Sequence, residues 1–145
     1  MAVNYLAVIG VTEKLLPLLE KQSEAAIVNT TSLVALTPAN IMPTYSASKA
    51  ALRSNTQVLR YTLQKRGSPV KVFELLPPLV NTEFSKNNGG ERGIPAEEVA
   101  RETLKQIEND VLEIRPGRTD QFYHMFFAGS ENAIEALHLA AGADQ

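Results

Sequence analysis

A chain of 145 residues with 44% hydrophobic and 21% charged residues has the composition of a globular domain that can bury a substantial core. Its net charge of −2, with no basic stripe, argues against nucleic acid as a partner, because that binding depends on clustered Lys and Arg. The lack of Cys excludes disulfides and cysteine-ligated zinc, and it fits a protein of the reducing cytoplasm. The two His lie far in the sequence from other candidate ligands, so no metal site is predicted.

The N-terminal segment is predicted to be helical. Apolar residues recur at helical intervals from Val3 to Lys21, which indicates a helix with a buried stripe. The apolar run from Leu6 to Val11 is short and no positive charge precedes it, so neither a signal peptide nor a membrane span is expected. Because Met1 leaves no room for an N-cap, the helix is expected to begin as though it were cut from something longer.

A strand, a long helix and a second strand are predicted next. The short apolar run Ala25–Val28 predicts a fully buried strand. A helix is predicted from about Thr44 to Lys65, with Gly67 as its stop. The β-branched and aromatic run Val70–Leu76 predicts the second strand, which two prolines end. This order implies parallel pairing of the two strands and a right-handed crossover.

The remainder of the chain completes an α/β pattern. The segment Glu83–Gly93 is rich in Asn, Gly and charge, which predicts a mobile surface loop over the strand ends. A helix is predicted from Pro95 to about Asn109, and a third strand at Val111–Ile114. Two short helices interrupted near Gly129 are predicted between Asp120 and Ala141. The predicted fold class is therefore α/β, with about three parallel strands and flanking helices.

Two side chains of the long helix suggest chemistry. Tyr45 and Lys49 are four residues apart, so they lie on the same face of a helix. A nearby ammonium favours the ionised phenol and is expected to lower the pKa of Tyr45. A tyrosine tuned in this way can act as a general acid or base. On their own, the two residues could also be ordinary helix residues without a catalytic role, because a motif match is only a hypothesis.

Polar residues gather at the carboxyl ends of both predicted strands, where open parallel sheets bind their ligands. Asn29–Ser32 follow the first strand and Val80–Thr82 follow the second. The helix that carries Tyr45 leaves the first of these ends. Three segments therefore converge on one edge of the sheet, although Ser32 and Thr82 taken alone are typical cap or loop hydroxyls.

This constellation resembles the short-chain dehydrogenase/reductase family. The family has an Asn-x-x-Ser segment whose active serine precedes the tyrosine of Y-x-x-x-K by thirteen residues, and Ser32 precedes Tyr45 by thirteen. The segment Pro77–Thr82 is similar to the family's Pro-Gly-x-Val-x-Thr run, with Pro78 in place of the glycine. Asn4, near the start of a helix, matches the catalytic asparagine of the family.

The resemblance implies roles for each matched residue. Tyr45 would donate or accept the proton, and Lys49 would lower the pKa of Tyr45 and hold the nicotinamide ribose. Ser32 would orient the substrate carbonyl, and Asn4 would support a water-linked proton relay. The implied cofactor-binding residues are Tyr45, Lys49, Pro78, Val80 and Thr82. The implied reaction is hydride transfer between NAD or NADP and a small-molecule carbonyl or alcohol.

The sequence does not contain the family's glycine-rich T-G-x-x-x-G-x-G turn or the first four strands, which bind the pyrophosphate and adenine ribose. Residues 1–145 are therefore expected to form one partial Rossmann-like domain, seen as a fragment or truncated form, in which NAD(P) binding is doubtful. The open edge of the first strand and the apolar helix faces predict association, as a homo-oligomer through the two long helices.

Other functions stay open at this point. A non-catalytic interaction or dimerisation module with a vestigial active site is the main alternative to an oxidoreductase. A hydrolase that uses Ser32 is disfavoured, because neither an Asp–His pair nor a G-x-S-x-G turn accompanies that serine.

Overall fold

The computed structural model describes residues 1–142, with side chains as far as residue 139. It has a central sheet of three parallel strands, a second sheet of two short strands, and flanking helices. A π-helical turn, Ala2–Leu6, leads into the first helix. The helices are α1 (Ala7–Leu19), α2 (Pro43–Lys65), α3 (Ala96–Glu108), α4 (Thr119–Ala128) and α5 (Ser130–Gly142). The strands are β1 (Ala25–Thr30), β2 (Val70–Leu75), β3 (Val80–Asn81), β4 (Ile94–Pro95) and β5 (Glu113–Ile114). The predicted α/β class is confirmed.

The central sheet has the order β1-β2-β5, and both pairings are parallel. β1 pairs with β2 from Ala25 opposite Val70 to Thr30 opposite Leu75. The crossover helix α2 covers this pair, with Leu63 packed against the β2 side chains. Both strands therefore end at the same edge of the sheet, beside the loop that leads into α2.

β1 is half exposed, so the prediction of a fully buried strand is wrong. Its residues alternate, and Val28 keeps 41% of its surface exposed. The physical reason is that successive side chains of a strand point to opposite faces of the sheet, and in the described part of the chain only the face with Ala25 and Ile27 packs against the helices. Within the same residues, β1 pairs only with β2. The open edge that the sequence predicts is present.

The predicted buried stripe of the N-terminal helix is also wrong. No residue of α1 is fully buried in the structure as far as it is described. Leu16 and Leu19 pack against the core on one side, while a second set of apolar residues points away from it. That set remains exposed because the described chain covers only one side of the helix. Its members are Val3, Leu6, Val11, Leu15 and Leu18.

The same segment meets the length and composition of a membrane span. Among the described residues, Ala2–Leu19 provides 18 helical residues with a mean hydropathy of 1.4, and none of this window is buried. The expectation of no such span rested on the shorter run Leu6–Val11. An exposed interface helix has the same length and hydropathy, so these two properties alone do not distinguish the two roles.

Residues 83–93 have regular structure, which differs from the loop that their composition predicts. They form two 3-10 turns, Glu83–Asn88 and Gly90–Arg92. The hydroxyl of Ser85 donates to the carbonyl oxygen of Val80 at 2.5 Å and accepts from the N–H of Thr82 at 3.1 Å. After these turns the chain comes back to β3, because β4 pairs with it in parallel.

Gly93 is expected to be required for this return of the chain. A Cβ at this position would lie 2.7–2.8 Å from backbone atoms of Leu79, Val80 and Asn81. We expect Gly93→Ala to lower the free energy of unfolding by about 1–3 kcal/mol, because the backbone must shift to relieve the overlap. Urea denaturation measures this change.

Gly10→Ala provides the matched control for that experiment. A Cβ at Gly10 meets no atom within 4 Å, and alanine favours the helix that contains it. Its free energy of unfolding is expected to stay equal or rise. Equal stability of the Gly93 variant and the natural protein would show that the β3–β4 return is not tightly packed.

Candidate active site

The first two turns of α2 carry Tyr45 and Lys49 on one face, as their spacing predicts. Pro43 occupies the first helical position, where its missing N–H is not needed. The Lys49 Nζ atom lies 5.6 Å from the centre of the Tyr45 ring. The same ammonium donates a hydrogen bond to the carbonyl oxygen of Thr30 at 2.8 Å. Lys49 therefore connects α2 to the carboxyl end of β1.

The prediction that Lys49 lowers the pKa of Tyr45 is wrong in this structure. Burial raises the pKa of Tyr45 above its ordinary value, and hydrogen bonding with the Ser32 side chain opposes that rise. Burial also lowers the pKa of Lys49. The reason is that removal from water disfavours both charged forms, while the ammonium is directed at a backbone carbonyl.

Ser32 stands directly beside this pair. It is buried, and its hydroxyl accepts a hydrogen bond from the N–H of Val34 at 3.3 Å, which caps the 3-10 turn Leu33–Ala35. The Ser32 side chain also lies near enough to the Tyr45 hydroxyl to oppose the rise in the pKa of Tyr45. The structure thus brings Ser32, Tyr45 and Lys49 together at the carboxyl end of β1.

Asn4 reaches the same helical turn from the N-terminal segment. Its Nδ2 atom donates to the hydroxyl of Ser48 at 3.2 Å. That hydroxyl in turn donates to the backbone carbonyl oxygen of Tyr45 at 2.7 Å. Asn4 therefore lies next to the turn that holds Tyr45 and Lys49, the neighbourhood that the resemblance implies. Its part in a water-linked relay stays a prediction.

The segment that holds Pro78, Val80 and Thr82 borders the same site. The N–H of Leu33, the residue after Ser32, donates to the carbonyl oxygen of Pro77 at 2.9 Å. Farther along, the ring of Phe84 lies 6.2 Å from the ring of Tyr45, measured between centroids. The segment therefore runs from beside Ser32 to beside Tyr45.

A buried ion pair beneath the site is absent from the sequence predictions. Arg53 Nη1 donates to Glu74 Oε2 at 2.6 Å, and Arg53 Nη2 lies 3.3 Å from the carboxylate of Glu113. The hydroxyl of Thr31 donates to Glu74 Oε1 at 2.8 Å. Two signals were available in the sequence: an acidic residue inside the apolar β2 run, and an arginine four residues after Lys49 on the same helical face.

Removal of the arginine from this pair is expected to destabilise the fold in a pH-dependent way. We expect Arg53→Met to cost about 3–5 kcal/mol, because it leaves a buried carboxylate without its partner. Burial raises the pKa of Glu74, and Arg53 opposes that rise. Without Arg53 the pKa rises further, so the folded protein retains a proton that the unfolded chain releases.

The free energy of unfolding of the Arg53 variant should therefore fall more steeply than that of the natural protein as the pH rises from about 5 to 8. Guanidinium denaturation at several pH values measures the slope. Arg101→Met is the control, because Arg101 forms an exposed pair with Glu97 at 3.6 Å and should cost less than about 1 kcal/mol. Identical slopes for the two variants would contradict the assignment.

Comparisons with known proteins agree on one family. The family model for short chain dehydrogenases matches residues 1–93. The uncharacterized oxidoreductase DltE of Bacillus subtilis (strain 168) is 35% identical over 122 residues, which covers 81% of this chain and 48% of that protein.

Two solved structures extend the likeness to three dimensions. A short chain dehydrogenase from Burkholderia cenocepacia J2315, in complex with NADP, gives a TM-score of 0.80 at 28% identity over 97% of this chain and 56% of that one. A short chain dehydrogenase/reductase from Burkholderia phymatum, in complex with NAD, gives a TM-score of 0.67 at 26% identity over 77% of this chain and 50% of that one. The chain spans about half the length of these relatives.

Proposed function

Because the chain belongs to the short chain dehydrogenase family, we propose that it carries the catalytic residues of an NAD(P)-dependent oxidoreductase, which transfers hydride to or from a small-molecule carbonyl or alcohol. The observation that best supports this function is the meeting of Ser32, Tyr45 and Lys49 at the carboxyl end of β1. Parallel sheets of this class bind their ligands at that edge.

Proton transfer falls to the Tyr45 hydroxyl, which donates to the substrate oxygen in reduction and accepts from it in oxidation. The Ser32 hydroxyl holds the same substrate oxygen by a hydrogen bond. The Ser32 side chain also opposes the rise that burial causes in the pKa of Tyr45, so this pKa stays closer to neutral pH. A bound nicotinamide would supply or accept the hydride.

Lys49 and Asn4 support this proton transfer. An ammonium has three N–H donors, and Lys49 directs one at the carbonyl oxygen of Thr30. We propose that another reaches the nicotinamide ribose. Asn4, held next to this turn through Ser48, would pass the proton onward through water.

This chain would bind only one part of the cofactor, the nicotinamide end, because its sequence lacks the segment that binds the pyrophosphate. Pro78, Val80 and Thr82 would hold the nicotinamide end, since they lie between Pro77, which accepts from the N–H of Leu33, and Phe84, whose ring lies beside Tyr45. The pyrophosphate needs a glycine-rich turn at a helix N-terminus, and the 145 residues include none. We therefore propose that residues 1–145 form the catalytic part of a Rossmann-like domain and bind NADH or NADPH weakly by themselves. The lack of Cys fits a cytoplasmic location for this enzyme.

In the complete protein, Tyr45→Phe is expected to lower kcat by about 10²- to 10⁴-fold, because the proton donor is lost, and to weaken nucleotide affinity to a smaller extent, because the resemblance also gives Tyr45 a part in cofactor binding. Lys49→Ala is expected to lower kcat and to weaken nucleotide affinity, because Lys49 supports the proton transfer and would bind the nicotinamide ribose. Turnover of a panel of aldehydes and ketones is followed by the absorbance of NADH or NADPH, and affinity by calorimetry.

Tyr61→Phe is the matched control for these variants, because Tyr61 is an exposed tyrosine on the same helix. It should keep full activity. Full activity in Tyr45→Phe would refute the assigned role. A natural protein that binds no nucleotide and turns over no carbonyl would instead favour the non-catalytic interaction module.

We also propose that two copies associate through α1 and α2. Exposed apolar side chains lie on both helices, and apolar patches of this kind mark interaction surfaces. On α1 they are Val11, Leu15 and Leu18, and on α2 they are Val58 and Tyr61. Because α1 is also apolar enough to cross a membrane, the partner must be tested directly.

Leu18→Lys and Val58→Lys are each expected to convert the dimer to a monomer, since a buried lysine would cost more than the interface gains. Light scattering after gel filtration measures the mass. Leu104→Lys on α3 is the matched control, because Leu104 is 63% exposed and Val58 is 61% exposed. A monomeric natural protein that floats with lipid vesicles would overturn the dimer and indicate a membrane surface.

A further inference from the structure

One buried carboxylate contacts both segments that carry the hydroxyl groups of the proposed active site. Glu74, in the middle strand β2, has no exposed surface. Its Oε1 atom accepts from the Thr31 hydroxyl at 2.8 Å, and its Oε2 atom accepts from Arg53 Nη1 at 2.6 Å. Thr31 immediately precedes Ser32, and Arg53 lies eight residues after Tyr45 on α2.

The backbone around Ser32 is attached to the end of β2 on both sides. The N–H of Thr31 donates to the carbonyl oxygen of Leu75 at 2.8 Å. The N–H of Leu33 donates to the carbonyl oxygen of Pro77 at 2.9 Å. The Thr31 hydroxyl adds a side-chain contact at the Glu74 carboxylate. A movement of Thr31 would therefore turn the adjacent Ser32 hydroxyl relative to the sheet.

The helix on the other side is held by the same carboxylate. Tyr45, Lys49 and Arg53 follow one another at intervals of four residues, so they share one face of α2. The guanidinium of Arg53 binds Glu74 in β2 and also approaches Glu113 in β5. These contacts hold α2 so that the helix face with Tyr45 lies over the ends of the strands.

Stability alone gives little reason for a charged pair at this place. A buried ion pair often contributes no more than well-packed apolar residues of the same volume, because both charges must leave water. What the pair provides and apolar contacts lack is direction, since each carboxylate oxygen accepts from one defined donor.

We propose that Glu74 is a positioning residue that sets the separation of the Ser32 and Tyr45 hydroxyls, acting through Thr31 on one side and Arg53 on the other. The inference rests on the proposed function only in that these hydroxyls serve the reaction. Because Glu74 is fully buried, it would act on the reaction only through Thr31 and Arg53.

Thr31→Val in the complete protein tests this link while the ion pair of Arg53 with Glu74 stays in place. We expect kcat to fall about tenfold and KM for the nucleotide to stay within about twofold, because a misplaced Ser32 weakens the chemical step more than binding. Thr31→Ser keeps the hydroxyl and should restore kcat to within about twofold. Thr31→Ala repeats the test if the valine variant does not fold.

Thr119→Val is the matched control. The Thr119 hydroxyl is buried and has no hydrogen-bond partner within the described structure, so its removal should leave kcat unchanged. Equal losses in the valine and serine variants at Thr31 would overturn the proposal, because the hydroxyl would then not be the link.

A second measurement separates positioning from catalysis. The pKa of Tyr45 is followed by NMR of tyrosine labelled with ¹³C at Cζ, with the signal assigned by Tyr45→Phe. Hydrogen bonding with Ser32 lowers this pKa, so displacement of Ser32 in Thr31→Val should raise it, while the charged neighbour Lys49 is unchanged.

An unaltered Tyr45 pKa in the valine variant would overturn the positioning role. A natural protein without turnover, in which Thr31→Val still raises the Tyr45 pKa, would overturn the proposed function and leave the positioning role standing.

Discussion

The ion pair of Arg53 with Glu74 is the interaction on which the arrangement of α2 over the sheet depends. A buried charge must meet its partner, so α2 has one acceptable position relative to β2. The apolar contacts of Leu63 with Val70 and Val72 supply attraction without direction. A second buried bond, from Asn29 in β1 to the Thr56 hydroxyl at 2.9 Å, holds the same helix over the neighbouring strand.

Much of the fold was predictable because local signals mark its elements. The β-branched run predicted β2 to within one residue, and Gly67, whose φ is +66°, ended α2 near the predicted place. Burial was harder to predict, because it depends on neighbours distant in the sequence. The apolar run at Val28 and the apolar positions of α1 have the pattern of buried elements, yet the described chain covers one side of each.

In the candidate site, too, local features were predictable from the sequence and features that depend on packing were not. The spacing of Ser32, Tyr45 and Lys49 was sufficient to predict that they meet, because the end of β1 and the start of α2 are joined directly by residues 31–42. The balance of pKa shifts at Tyr45 was not predictable, because it depends on burial and on where the Lys49 ammonium is directed. Arg53 and Glu74 are 21 residues apart, and only the packing of α2 on β2 reveals their contact.

The position of the site also links its chemistry to the open surfaces of the molecule. β1 is the strand whose outer edge is unpaired in the described chain, and it is also the strand that leads to Ser32. The ammonium of Lys49 binds the carbonyl oxygen of Thr30, the last residue of this edge strand. A strand that paired in parallel with the outer edge of β1 would therefore place its own carboxyl end beside Lys49 and Ser32. The unpaired edge and the candidate site are, for this reason, neighbouring parts of one surface.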